Sequence, residues 1–217
     1  MTERQHQIAL GALLGDAWID KDRLRLKQCD RYKEYVFWLY EELQDLCLSP
    51  PKQRKDNLQW YFQTRKNEEI IKYRKIFYRN AKKIIPQEIG KLLIHPLSLA
   101  VWFMDDGTLD WRIKDHYAFR LATYCFTLDE CNQLVDTLEN NFGVSASVQT
   151  TLMRGKRLPR IHIGKEGREN FRKLISPYLV HCFSYKLPSI ISNPSETVLL
   201  TSSQGDDSDY PLKGNSL

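Results

Sequence analysis

Two stretches of the chain, IALGALLGDAWID (Ile8 to Asp20) and LSLAVWFMDDGTLDW (Leu97 to Trp111), are apolar on every side up to an acid. A run with no polar face reads as a helix buried all round rather than one lying on a surface. In the second run, Pro96 suits a first helical position and Gly107 the residue that ends a helix. Asp105 and Asp106 therefore fall at the helix C-terminus, whose partial negative charge disfavours carboxylates unless a cation or a function compensates. The first run closes the same way on Asp16, ninety positions earlier. Gly11 and Gly15, four apart and so on one helical face, would let a partner backbone approach closely.

The segments after the two runs also repeat, and repeats decide architecture before local pattern does. After the first, DRLRLKQ sets Arg23, Arg25 and Lys27 against Leu24 and Leu26 at strand period. RYKEYVFWLYEELQDL then spaces Tyr32, Val36, Leu39, Leu43 and Leu46 as a helix. LSPPK breaks that helix. LQWYFQTR alternates Leu58, Trp60 and Phe62 with Gln59, Tyr61 and Gln63, and EEIIKYRKIFYRNA is a further amphipathic helix.

The second copy keeps the order. YAFRLATYCF reads as strand, LDECNQLVDTLENNFG as a helix ending at Gly143, and VSASVQTTLMRGKRLPRIHIG as two strands around a basic turn at Arg154 to Arg157. EGRENFRKLISPYL closes it as a helix. Each half thus predicts helix, two strands, helix, two strands, helix: an α+β fold of two αββαββα repeats with antiparallel sheets. The copies run over residues 1–90 and 91–194. Trp38, Trp102 and Phe103 are assigned to the core. Residues 195–217, rich in Ser, Asp and Gly without an apolar period, read as a disordered acidic tail.

With 217 residues, 42% of them hydrophobic, the chain can bury a substantial core. Its net charge is +5, and because the tail holds four acids and one lysine the body is more basic than the whole, a modest footprint for a polyanion. Five cysteines (Cys29, Cys47, Cys125, Cys131, Cys182) form no CxxC pair and no zinc spacing, which reads as reduced structural thiols of an intracellular protein. No run of about 18 apolar residues offers a membrane span. MTERQHQIAL resembles neither a signal peptide nor an Arg- and Ser-rich transit segment. The five histidines are scattered and mark no zinc hydrolase.

If the glycine-bearing helix packs on its repeat partner, pseudo-twofold symmetry brings Asp16 and Asp106 together at one end of the pair. Two like charges at short range repel and raise one pKa unless a divalent cation neutralises them. Carboxylates with few other ligands suit Mg²⁺, which keeps waters and takes its remaining oxygens from substrate phosphates. The reaction such a site predicts is phosphodiester hydrolysis.

At these residues the chain resembles the LAGLIDADG homing endonucleases, of the single-chain type with two motifs. GALLGDAWI, LSPPK, LSLAVWFMDDG and PYLVHCFSYKLP make it most similar to the omega-type mitochondrial intron endonucleases within that family, over about residues 8 to 194. The resemblance implies a saddle of two antiparallel sheets along DNA, with the motif helices packed at its centre. It also implies Asp16 and Asp106 as metal-binding catalytic acids, each active site cutting one strand across the minor groove. Asp105 takes the usually small position before the acid and is assigned a supporting, hydrogen-bond-accepting role. Ala17 stands where Gly commonly follows the acid, and Val101 and Asp105 occupy the positions of Gly11 and Gly15, so the first helix is expected to carry the close approach.

Each half also ends with a lysine shortly before a proline, Lys83 and Lys186, which match the family's basic active-site residues. Their implied role is electrostatic support of the scissile phosphate or of the attacking water, with Lys82 the near alternative to Lys83. Base reading is expected from the polar strand faces. In the first half these are Arg23, Arg25, Lys27, Gln59, Tyr61, Gln63 and Arg65. In the second they are Arg120, Ser147, Gln149, Thr151, Arg154, Lys156, Arg157, Arg160 and His162. The expectation is a monomeric, Mg²⁺-dependent endonuclease that binds double-stranded DNA, no membrane, and promotes spread of its encoding intron or element. It would work in an organelle (mitochondrion or chloroplast) or a bacterial cytoplasm. The alternative is an intron RNA maturase on the same fold.

Overall fold

The computed structural model describes residues 1–112, 116–153 and 155–188. The expected tail and Arg154 lie outside the described residues. The first repeat runs α1 (Glu3–Leu14), β1 (Trp18–Asp20), β2 (Arg23–Gln28), α2 (Lys33–Leu43), β3 (Lys52–Gln53), β4 (Trp60–Gln63) and α3 (Glu68–Phe77). A small hairpin of β5 (Tyr78–Arg79) and β6 (Lys82–Lys83) and a short α4 (Ile89–Leu92) lead to the second repeat. That repeat runs α5 (Pro96–Asp106), β7 (Gly107–Arg112), β8 (His116–Leu121), α6 (Leu128–Phe142), β9 (Ser147–Met153), β10 (Lys156–Ile163) and α7 (Arg168–Ile175), followed by 3₁₀ turns at Ser176–Tyr178 and His181–Lys186.

The two four-stranded antiparallel sheets have the same order, β1-β2-β4-β3 and β7-β8-β10-β9. The chain is therefore two αββαββα repeats of one α+β unit. In each sheet one face is apolar: Leu24, Leu26 and Phe62 in the first, Phe119, Leu121, Ile161 and Ile163 in the second, all buried against helices. Leu58 is an exception to the expected alternation. It precedes β4 in a turn at φ 56° and stands 57% exposed.

The starts of α1 and α5 are both set locally. Thr2 caps α1 in a reciprocal box with Gln5, and His95 caps α5 ahead of Pro96. Burial is continuous from Gln7 to Leu14 and from Leu97 to Met104, so these helices form the core of the molecule and cross each other. Their contact depends on two missing side chains. A Cβ on Gly11 would lie 2.5 Å from the Ser98 carbonyl oxygen and 2.7 Å from Val101 Cβ, and one on Gly15 would lie 2.5 Å from Asp105 Cβ. The first helix thus supplies the small residues and the second the larger ones that fill the space. Ser98 Oγ bridges the seam, sharing its one proton between the Gln7 carbonyl at 2.8 Å and Gln7 Oε1 at 2.6 Å.

Candidate active site

Both crossed helices end in acids and neither has a basic residue in its last turn. The compensating cations come from elsewhere in the chain. Lys83, on β6, sends its ammonium to the carbonyls of Gly15 (2.9 Å) and Ala17 (2.7 Å) at the end of α1. Lys186, in the last 3₁₀ turn, donates to the carbonyls of Met104 (2.7 Å) and Phe103 (3.3 Å) in the last turn of α5. Both ammonium groups thus lie at the C-terminal ends of the helices, where the helix dipole places its negative pole. Lys82 is exposed, so the geometry brings Lys83 to the helix end. Each ammonium has three donors and uses two among the described residues, leaving one for a water or a phosphate.

Burial lowers the pKa of both lysines, Lys186 to about 8, while the surrounding aspartates oppose the shift. The acids move the other way. Asp106 rises to about 7 through burial and the adjacent Asp16 charge, with Lys83 and Lys186 pulling it back. Asp105 is driven well above the ordinary carboxylate range by burial and then by Asp16 and Asp106. Carboxylates so crowded hold a proton or a cation.

Asp105 joins the two helix ends. Its Oδ2 accepts the backbone N–H of Asp16 at 3.2 Å, and its Oδ1 faces Gln28 Nε2 at 3.3 Å. Gln28 Nε2 also donates to Asp16 Oδ2 at 2.7 Å, so one side-chain amide orients the first motif acid. Sequence reasoning missed Gln28. The available signal was its parity: it is the next position after Leu24 and Leu26 on the apolar side of β2, where a polar group needs a partner inside. The register-equivalent residue of the second sheet is Thr123, whose hydroxyl donates to the Pro159 carbonyl instead. Tyr35, fully buried on α2, was also missed. Its hydroxyl lies close enough to Asp105 to interact, yet has no hydrogen bond of normal geometry among the described residues.

A model of the LAGLIDADG DNA endonuclease family matches residues 6–171. The chain belongs to this family. Its relatives include the DNA endonuclease I-ChuI of Chlamydomonas applanata, 26% identical over 86% of this chain and 95% of that protein. Another is the cytochrome b mRNA maturase bI2 of Debaryomyces hansenii, 29% identical over 83% of this chain and 72% of that one. The solved structure of the homing endonuclease I-WcaI bound to its DNA recognition sequence matches at a TM-score of 0.75 and 27% identity, covering 86% of this chain and 87% of that one.

On this LAGLIDADG scaffold the polar strand faces are continuous. In the first sheet Arg23, Arg25 and Lys27 share a face with Tyr61 and Gln63, and Lys52 lies opposite Tyr61. Lys27 sits over the Trp18 ring, 5.3 Å from its centroid. In the second sheet Arg120, His162 and Arg160 alternate with buried residues and Lys156 shares their face, while on β9 Ser147 lies opposite His162, Gln149 opposite Arg160 and Thr151 opposite Leu158. Three expected contacts stand apart. Arg157 has the parity of Pro159 and Ile161, which puts it on the opposite face. Arg65 follows β4 and its guanidinium bonds the Asp45 carbonyl, and Gln59 precedes β4 in a turn where its N–H donates to Asn57 Oδ1.

Among the described residues no three His, Cys, Asp or Glu side chains converge as a self-sufficient metal cage. Asp16 and Asp106, brought together at the end of the helix pair, fit instead an ion that keeps water and draws further oxygens from a bound phosphate. All five cysteines are free, and no described helix is long and apolar enough to cross a membrane.

Proposed function

We propose that this protein is a monomeric, site-specific double-stranded DNA endonuclease that needs a divalent cation, Mg²⁺ by its ligand chemistry, and cuts to spread its encoding intron. The observation that carries this reading is the duplicated end of the helix pair: a motif acid and a lysine bonded to the helix end in each repeat, Lys186 buried and Lys83 half-buried. A cation held by Asp16 and Asp106 supplies Lewis-acid charge for the scissile phosphate and for water activation. Lys83 and Lys186, each with one donor to spare, place positive charge where the phosphate becomes more negative. Gln28 and Asp105 hold Asp16 in position. The polar faces bind the duplex, and one chain supplies both half-sites, so a monomer suffices. The I-WcaI likeness supports DNA as the substrate, and organellar introns are the setting that fits the resemblance to omega-type enzymes.

The experiment is incubation of purified protein and Mg²⁺ with DNA spanning the intron-free junction of the host gene, beside the Asp16→Asn/Asp106→Asn variant. Cutting of both strands by the wild type alone supports the proposal. The maturase relative favours a second reading, intron RNA binding in support of splicing. Intact DNA together with tight binding of intron RNA would replace the first reading with that one.

A further inference from the structure

Asp20 and Asp110 each stand four residues beyond a motif acid on the first strand of a sheet, and each pairs with an arginine on the neighbouring strand. Asp20 Oδ2 lies 2.7 Å from Arg25 Nη2, and Asp110 pairs with Arg120 in the same way. The arginines are register equivalents: Arg25 lies opposite Trp18 and Arg120 opposite Thr108, each two residues past the acid. Their surroundings have diverged. Arg25 has Gln63 on its other side where Arg120 has His162, and Arg23 corresponds to Ala118. The ion pair is what the two polar faces retain in common.

We propose that these two pairs determine specificity. Arg25 and Arg120 each read the guanine of a G·C pair, at positions equidistant from the centre of a target that is palindromic there. This rests on reading the chain as an endonuclease. In the major groove a G·C pair presents the acceptors N7 and O6 of guanine beside the N4 donor of cytosine. An arginine held against an aspartate presents donors beside an acceptor, which is the complement. The same carboxylate makes a poor phosphate clamp, because it repels the anion and offsets the guanidinium charge. It also fixes the long arginine side chain before DNA arrives, so less conformational freedom is lost on binding. All four side chains remain partly exposed and so within reach of a duplex. The twofold relation of the repeats then fixes the spacing: whatever base step separates Arg25 from the centre separates Arg120 from it on the other side.

The test is repeated selection of duplexes with a randomised segment by the wild-type protein, followed by cleavage of the selected pool with Mg²⁺. Selected sequences are expected to carry guanine at two symmetry-related positions. Arg25→Lys should lose about tenfold or more of the preference at one position only, and Arg120→Lys at the other, because lysine keeps the charge but not the planar fork. The slope of affinity against salt should stay as in the wild type. A consensus without symmetry-related guanines overturns the inference. So does an arginine-to-alanine effect that is uniform across sequences and lowers the salt slope, which marks a phosphate contact. If the wild type selects a consensus but cuts nothing, the endonuclease reading fails while the base reading by these pairs stands.

Discussion

The side chain of Asp105, on the second buried helix, accepts the backbone N–H of Asp16 at the end of the first, 3.2 Å across a gap of 89 positions. Gly15 makes this possible, because any Cβ there would occupy the space of Asp105 Cβ. The two repeats thus differ at this contact, a small residue on one helix facing a hydrogen-bonding one on the other.

Gly11→Ala should destabilise the fold by about 1–3 kcal/mol, since its new methyl meets the Ser98 carbonyl and Val101 Cβ deep in the seam. Gly15→Ala should displace Asp105 and slow cleavage as well. The double variant Gly15→Ala/Asp105→Gly, which moves the small residue to the other helix, should recover stability. Denaturant titration of the three variants checks the order.

Asp106 titrates at about 7 in the fold, against roughly 4 for a free aspartate. Between those values the folded protein holds a proton that the unfolded chain has released, so metal-free stability should fall as pH rises from about 4 to about 7. A divalent ion competes with that proton, so its affinity should climb over the same range and flatten above pH ~7. Thermal melts across this range with and without Mg²⁺ would show the two curves separating as pH rises.

Lys186 has the opposite sign. Burial holds its pKa at about 8, below the usual lysine value of ~10.4, so between these the unfolded chain binds the extra proton and stability should rise with pH. Lys186→Met should reduce that rise to the share left by Lys83, whose pKa burial also lowers, and keep the fold. It should also cut cleavage by about 10²–10³-fold, the scale for losing one preorganised charge, with DNA affinity nearly unchanged. Single-turnover rates beside pH-dependent melts separate the two effects.

Gln28 orients Asp16, whereas its register equivalent Thr123 is turned to the Pro159 carbonyl. Gln28→Ala should therefore slow one strand more than the other and accumulate nicked DNA. Strand-specific end labels on a cloned target read this directly, and equal slowing of both strands would contradict the asymmetry.

Much of this arrangement is legible in the chain. The two fully apolar runs announce the central helices, and alternation along DRLRLKQ and RLPRIHIG places the polar faces. The terminal acids are conspicuous because the helix dipole disfavours them. Other parts are hidden for physical reasons. β1 spans three residues and β5 and β6 two each, too short for a period to show, and the orientation of Lys83 over Lys82 depends on that small hairpin. Tyr35 reads as one more aromatic of an amphipathic helix, since nothing local says that its hydroxyl meets an acid from the other repeat. Arg65 and Gln59 extend the alternation of β4 on paper, but the strand ends before them and their polar groups find backbone and turn partners.

The most direct measurement is strand-resolved cleavage of the target duplex by Asp16→Asn and Asp106→Asn, each alone, with binding measured on the same DNA. Either substitution should stop the conversion of target to a double-strand break while the duplex is still bound. A single variant that makes double-strand breaks at the wild-type rate would contradict the joint role of the two acids.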